Sequence, residues 1–218
     1  MCCWRTGDGP DTRETVLVAV SHLLENRVFI VTGGGQGLGK AFARSIAAHG
    51  GTVVVADIAA DSAEKVASEI RETGGHALGL CMDIKDPDAC DQLVAAADRE
   101  FGRLDGLVNN AGVIVTGDTA SESSVAIRQL VDVNIVGSVL CGNAAIRAMR
   151  RYGDGGSIVN LSSGALQGIE GLALYGMTKG AIASLTYGWA LDLHKDGIRC
   201  NALAPLANTH MSTHVPGP

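Results

Sequence analysis

The sequence predicts an α/β fold: a doubly wound parallel sheet of six strands. Three observations predict it. Short apolar runs alternate with helix-length segments, the runs are apolar on both faces, and glycines cluster where runs and helices meet. Right-handed crossovers then place helices on both sides of the sheet. Ahead of this pattern, residues 1–11 read as a polar tail containing glycine and proline. Asp11–Asn26 reads as a helix, with Asp11 and Glu14 as a capping pair, although the run Val16–Val20 allows a strand instead.

The repeating pattern starts at residue 27 and occupies 27–218 as one domain. Val28–Val31 is the first strand, and Ala41–His49 the first helix, ended by Gly50-Gly51. Thr52–Ala56 and Asp61–Arg71 form the next pair, followed by Ala77–Met82 and Pro87–Phe101. Leu104–Val108 is the fourth strand. Two helices fill Ser121–Arg151, separated near Val136-Gly137. Ser157–Leu161, the long helix Leu174–His194 and Ile198–Leu203 complete the pattern.

Composition narrows the function classes. Lys plus Arg number 17 and Asp plus Glu 23, a net charge of −6, which disfavours nucleic-acid or anionic-membrane surfaces. Aromatics are only 4%, too few for a base-stacking platform. No apolar run approaches the ~20 residues of a membrane span. Val16–Leu24 has the outline of a signal sequence, but Asp8, Asp11 and Glu14 spoil its basic flank. Cys2, Cys3, Cys81, Cys90, Cys141 and Cys200 show no C-x-x-C or zinc spacing, and read as reduced thiols of a cytoplasmic protein without a metal.

The turn after the first strand reads Thr32-Gly33-Gly34-Gly35-Gln36-Gly37-Leu38-Gly39. Glycines let backbone N–H groups approach phosphate oxygens, and the helix start adds its positive dipole end. Asp57 ends the second run, eighteen positions after Gly39, where a carboxylate accepts hydrogen bonds from an adenosine ribose and repels a 2′-phosphate. NAD is therefore expected over NADP. Gln36 brings no positive charge to the turn, and Lys40 lies beyond its third glycine. Farther on, Tyr175 and Lys179 lie four apart in a predicted helix, hence on one face. An ammonium beside a phenol is expected to draw its pKa down from ~10 toward working pH, as a general acid/base requires. Gly156–Leu161 leads into Ser162-Ser163, hydroxyls at a strand's carboxyl end.

The glycine turn matches T-G-x-x-x-G-x-G through Thr32, Gly33, Gly37 and Gly39. Together with Asn109-Asn110-Ala111-Gly112 and Y-x-x-x-K, it resembles the short-chain dehydrogenase/reductase family over about residues 27–211. The resemblance implies a Rossmann-like NAD(P)-binding domain that transfers hydride between nicotinamide and a secondary alcohol or ketone. In that scheme Tyr175 is the acid/base, and Lys179 lowers its pKa and holds the nicotinamide ribose. A serine polarises the substrate oxygen: Ser163 by strand alignment, Ser162 by counting back from Tyr175. Asn134 holds a water that relays protons to Lys179. The cofactor would be lined by Gly33, Gly37, Leu38, Gly39, Asp57, Asn110, Ala111 and Gly112, with Asp83 and Ile84 at the adenine and Pro205 and Thr209 near the nicotinamide. The family's usual partner is a second copy, as homodimer or homotetramer.

Two departures stand out. Pro205-Leu206 replaces the family's proline-glycine, and the sequence ends at Pro218, short of the family's substrate lid, further helix and seventh strand. The sixth strand is then expected at an exposed edge. This leaves a second reading, a nucleotide-binding protein of the same fold without turnover.

Overall fold

The computed structural model describes residues 22–118 and 120–205. The helix or strand expected within Asp11–Asn26 falls mostly outside them, and its end, from His22 to Asn26, is a turn. Six strands follow: β1 (Val28–Thr32), β2 (Thr52–Asp57), β3 (Ala77–Cys81), β4 (Gly106–Asn109), β5 (Gly156–Leu161) and β6 (Ile198–Leu203). All neighbours pair in parallel, in the order β3-β2-β1-β4-β5-β6. The direction of winding reverses between β1 and β4, which opens a crevice at their carboxyl ends. The fold class is the Rossmann-like sheet the sequence predicts.

Helices α1 (Gly37–Ala48) and α2 (Ala60–Glu72) cover one face. Ala43, Ala63, Val66 and Ile70 meet Val31, Val53 and Val55 there. The opposite face carries α3 (Pro87–Phe101) and α5 (Ser138–Tyr152), whose Leu93, Ala97, Ala145 and Met149 meet Ile30, Val54, Leu107 and Ile158. Local chemistry sets the ends of these helices. Asp86 caps α3 by accepting from the Asp88 amide at 2.9 Å, Pro87 occupies its first turn, and Gly102 stops it in the left-handed region. Long helix α6 (Ala173–Asp192) lies along β5 and β6. β6 sits at the sheet edge of the described residues, with only Ile198 and Cys200 buried and Arg199, Asn201, Ala202 and Leu203 exposed, where both faces were expected to be apolar.

The expected break near Val136-Gly137 is absent. Helix α4 (Ser124–Val131) runs through a π-helical turn (Asp132–Gly137) directly into α5. Gly137 is there for space rather than for a break, since a Cβ would lie 2.6 Å from Ile84 Cδ1. The continuous run Ser124–Tyr152 is long and apolar enough to cross a membrane by length and composition, unlike any segment the sequence pattern picks out. Here Leu130, Cys141, Ala145 and Met149 along it are buried in the protein.

At the opposite rim from the crevice, Asp105 ties three strands together. Its carboxylate accepts from Arg27 (2.7 Å), from both Nε and an Nη of Arg103 (2.7 Å each) and from the Val28 amide (2.9 Å). Its backbone bonds to Val28 and Ser157. Burial pushes the carboxyl up, but the two guanidinium groups and the amide together hold it below the ordinary 3.8.

Candidate active site

The glycine turn leaves β1 and enters α1 with Gly33 at φ +61° and Gly37 at φ +52°, conformations that glycine adopts without steric cost. A Cβ on Gly39 would overlap the Gly33 carbonyl. Helix α1 thus starts at Gly37, earlier than the Ala41 that helix propensity suggests. Gln36 gives no side-chain cap, and the first turn holds no acidic residue. Its leading amides are therefore free of side-chain partners, as an incoming phosphate requires. Leu38 sits in this first turn.

Two neighbours brace the turn. The Asp57 carboxylate accepts from the Gly35 amide (2.9 Å) and the Ala59 amide (3.0 Å). The Asn110 carboxamide donates to the Thr32 and Gly33 carbonyls at 2.9 and 3.0 Å. The Thr32 hydroxyl accepts from the Asn110 and Ala111 amides, both at 3.1 Å. Thr32 belonged to the motif but not to the expected site, although it locks the two loops together. Lys40, the nearest lysine after the turn, pairs with Glu69 at 2.9 Å. Asp83 is half-exposed, accepts from the Lys85 amide at 3.0 Å and pairs with the Lys85 ammonium at 3.3 Å. Ile84, expected as a wall for the adenine, has its side chain in the core against Gly137. Pro205 lies two residues beyond the end of β6, whereas Thr209 lies outside the described residues.

Ser163, Tyr175 and Lys179 come together beyond β5. Lys179 is 5% exposed; its ammonium donates to the Leu161 carbonyl at 2.7 Å and lies 5.6 Å from the centre of the Tyr175 ring. Burial pushes the ammonium down to about 8. Burial also pushes the Tyr175 phenol above its ordinary 10, while the Ser163 hydroxyl beside it acts in the opposite direction. The phenol is thus not lowered by the lysine as the spacing suggests. The ammonium faces the ring and serves a carbonyl instead of the phenol oxygen.

The two serines differ clearly. Ser162 is buried, and its hydroxyl donates to the Lys179 carbonyl at 2.9 Å. Ser163 is half-buried beside Tyr175 and accepts the Ala165 amide at 3.2 Å. Asn134 sits in the π-helical turn, 1% exposed. Its Oδ1 accepts from the Val113 amide (2.8 Å), and its Nδ2 donates to the Val113 carbonyl (2.9 Å) and to Thr178 (3.0 Å). Both Nδ2 hydrogens are therefore engaged, which leaves the side chain only an Oδ1 lone pair to offer the expected relay water. Gly112 closes the group, since a Cβ there would lie 3.2 Å from Asn134 Oδ1 and 3.7 Å from the Lys179 ammonium.

A doubly wound sheet with a glycine turn at its switch point, and with Ser163, Tyr175 and Lys179 gathered beyond β5 on the same carboxyl-terminal rim, is an arrangement suited to an oxidoreductase. The family model for short chain dehydrogenases matches residues 27–216, and the chain belongs to that family. Meso-2,3-butanediol dehydrogenase of Serratia marcescens is 37% identical over 194 residues, 88% of this chain and 76% of that protein. Cis-4-hydroxycyclohexanecarboxylate dehydrogenase of Sinomonas cyclohexanicum is 39% identical over 194 residues, 87% of this chain and 77% of its own length. Among solved structures, a citronellol catabolism dehydrogenase of Pseudomonas aeruginosa PAO1 superposes with a TM-score of 0.80 at 34% identity, covering 84% of this chain and 75% of its own. A short-chain dehydrogenase/reductase from Mycobacterium marinum reaches 0.84 at 29% identity, covering 90% and 78%.

Proposed function

We propose that this protein is an NAD(H)-dependent dehydrogenase of secondary alcohols and their ketones. The observation that carries the reading is the meeting of Ser163, Tyr175 and Lys179 at the carboxyl-terminal rim of the sheet that also carries a glycine turn whose helix start lacks a side-chain cap. Nicotinamide supplies the hydride donor or acceptor when bound. The amides from Gly37 onward would hold its pyrophosphate, and Asp57 would take the adenosine ribose hydroxyls and repel a 2′-phosphate. Asp83, Asn110, Ala111, Gly112, Pro205 and Thr209 complete the proposed lining.

In reduction, the Tyr175 phenol gives its proton to the carbonyl oxygen while the Ser163 hydroxyl stabilises the charge that develops there. Lys179 supplies positive charge near the phenol and would hold the nicotinamide ribose when the cofactor is bound; Asn134 keeps the loop after β4 against this group. Because burial holds the phenol protonated, reduction should run at neutral pH and oxidation should speed up as pH rises. The relatives named for diols and hydroxy acids support a CH–OH substrate. The exposed apolar residues Met177, Tyr187 and Leu191 along α6 support a homodimer or homotetramer. The free thiols Cys81, Cys90, Cys141 and Cys200 support a cytoplasmic location.

The test is oxidation of NADH and NADPH with a panel of ketones. Turnover with NADH is expected, with a Tyr175→Phe variant slower by about 100-fold or more yet still binding NADH. A variant within a few-fold of wild type removes Tyr175 from the chemistry.

A further inference from the structure

We propose that Thr178 is a positioning residue: its hydroxyl ties the Asn134 carboxamide to the Tyr175–Lys179 turn and so holds the loop at Gly112-Val113 against the reacting groups. The inference rests on the function proposed above. Thr178 is fully buried, immediately before Lys179. Its Oγ1 donates to the Tyr175 carbonyl at 2.8 Å and accepts from Asn134 Nδ2 at 3.0 Å. A helical threonine bonded only to its own preceding turn has a local role. This one also receives a hydrogen bond from a different element, the π-helical turn.

The direction of each bond orients the next group. A hydroxyl has one proton, and Thr178 gives it to the Tyr175 carbonyl, so toward Asn134 the oxygen can only accept. That requires the amide nitrogen of Asn134 to face Thr178. The carboxamide oxygen is then left for the Val113 amide, at 2.8 Å, while the second Nδ2 hydrogen goes to the Val113 carbonyl at 2.9 Å. One side chain thereby fixes both backbone groups of Val113, next to the Gly112 that borders Lys179. Without the hydroxyl, a buried Nδ2 hydrogen loses its acceptor, and the carboxamide loses the partner that tells its two ends apart. Valine has nearly the shape of threonine but cannot accept, whereas serine keeps the hydroxyl and loses only the methyl.

The experiment compares Thr178→Val and Thr178→Ser in the full chain by amide hydrogen exchange at Val113 and by kcat over a pH series. In Thr178→Val, Val113 should exchange about tenfold faster and kcat should fall about tenfold. Thr178→Ser should stay within about twofold of wild type in both. Unchanged exchange at Val113 in Thr178→Val overturns the inference, as does faster exchange with unchanged kcat. Equal losses in the two variants overturn it as well, because the methyl would then be what matters. Should Thr178→Val not fold, Thr178→Ala carries the same comparison. If the wild type turns over no alcohol or ketone with either nicotinamide cofactor, the proposed function fails, and exchange at Val113 still decides whether Thr178 holds the loop.

Discussion

Replacing Lys179 with methionine should make the fold more stable and the enzyme inactive. The ammonium is nearly sealed from water, with the Leu161 carbonyl as its one hydrogen-bond acceptor among the described residues. A fall from the ordinary 10.5 to about 8 corresponds to about 3 kcal/mol of preference for the neutral amine. Lys179→Met removes that cost in a side chain of similar length, and leaves the Leu161 carbonyl without its donor, a loss of about 1 kcal/mol. The net gain at pH 7 is about 2 kcal/mol, or roughly 4–8 °C in Tm for a chain of this size. The sign depends on pH. Below about pH 8 both folded and unfolded lysine are protonated, and the fold bears the full cost. Between about 8 and 10.5 the unfolded chain holds more protons than the native one, so wild-type stability rises with pH relative to the variant. Above 10.5 the ionisation cost is gone. Urea unfolding of both proteins at pH 7 and near 10.5, fitted for the difference, cancels every other titrating group. A variant less stable than wild type at pH 7, or a difference flat across this range, would refute the reasoning.

Three further variants test the site and the packing around it. Ser163→Ala should lower kcat by about 100-fold with little change in stability, as expected for a group that meets developing charge. Ser162→Ala should do the reverse, costing about 1 kcal/mol of stability through the lost hydrogen bond to the Lys179 carbonyl and keeping kcat within a few-fold; steady-state kinetics and denaturant midpoints separate the two. Gly142→Ala should lose about 3 kcal/mol or more, because a Cβ there would overlap the Trp189 ring. The denaturant midpoint, followed by tryptophan emission, measures it.

The strands were legible because each is a short, mostly apolar run flanked by turn residues, and Val53–Ala56 is fully buried as such a run requires. Helix α1 was legible only in its body. Its first residues are glycine, leucine and glycine, and helix propensity argues against starting there. The π-helical turn was hidden because the reason for Gly137 is Ile84, more than fifty residues away. Tyr175 and Lys179 were legible from spacing alone, but their ionisation was not. The carbonyl that takes the ammonium ends β5, and no pattern within the helix reports it. The choice between Ser162 and Ser163 depended in the same way on which hydroxyl turns toward the backbone of α6.

The Asp105 clamp has a consequence for how this protein can change. Arg27, Arg103 and Asp105 fasten the amino-terminal rim of the sheet, while every proposed reacting group sits at the carboxyl-terminal rim. Mechanical anchorage and chemistry are thereby housed at opposite poles of the same strands. Loops around the crevice can be rebuilt for new substrates without loosening the fastening, and the fastening can be tightened without touching the chemistry.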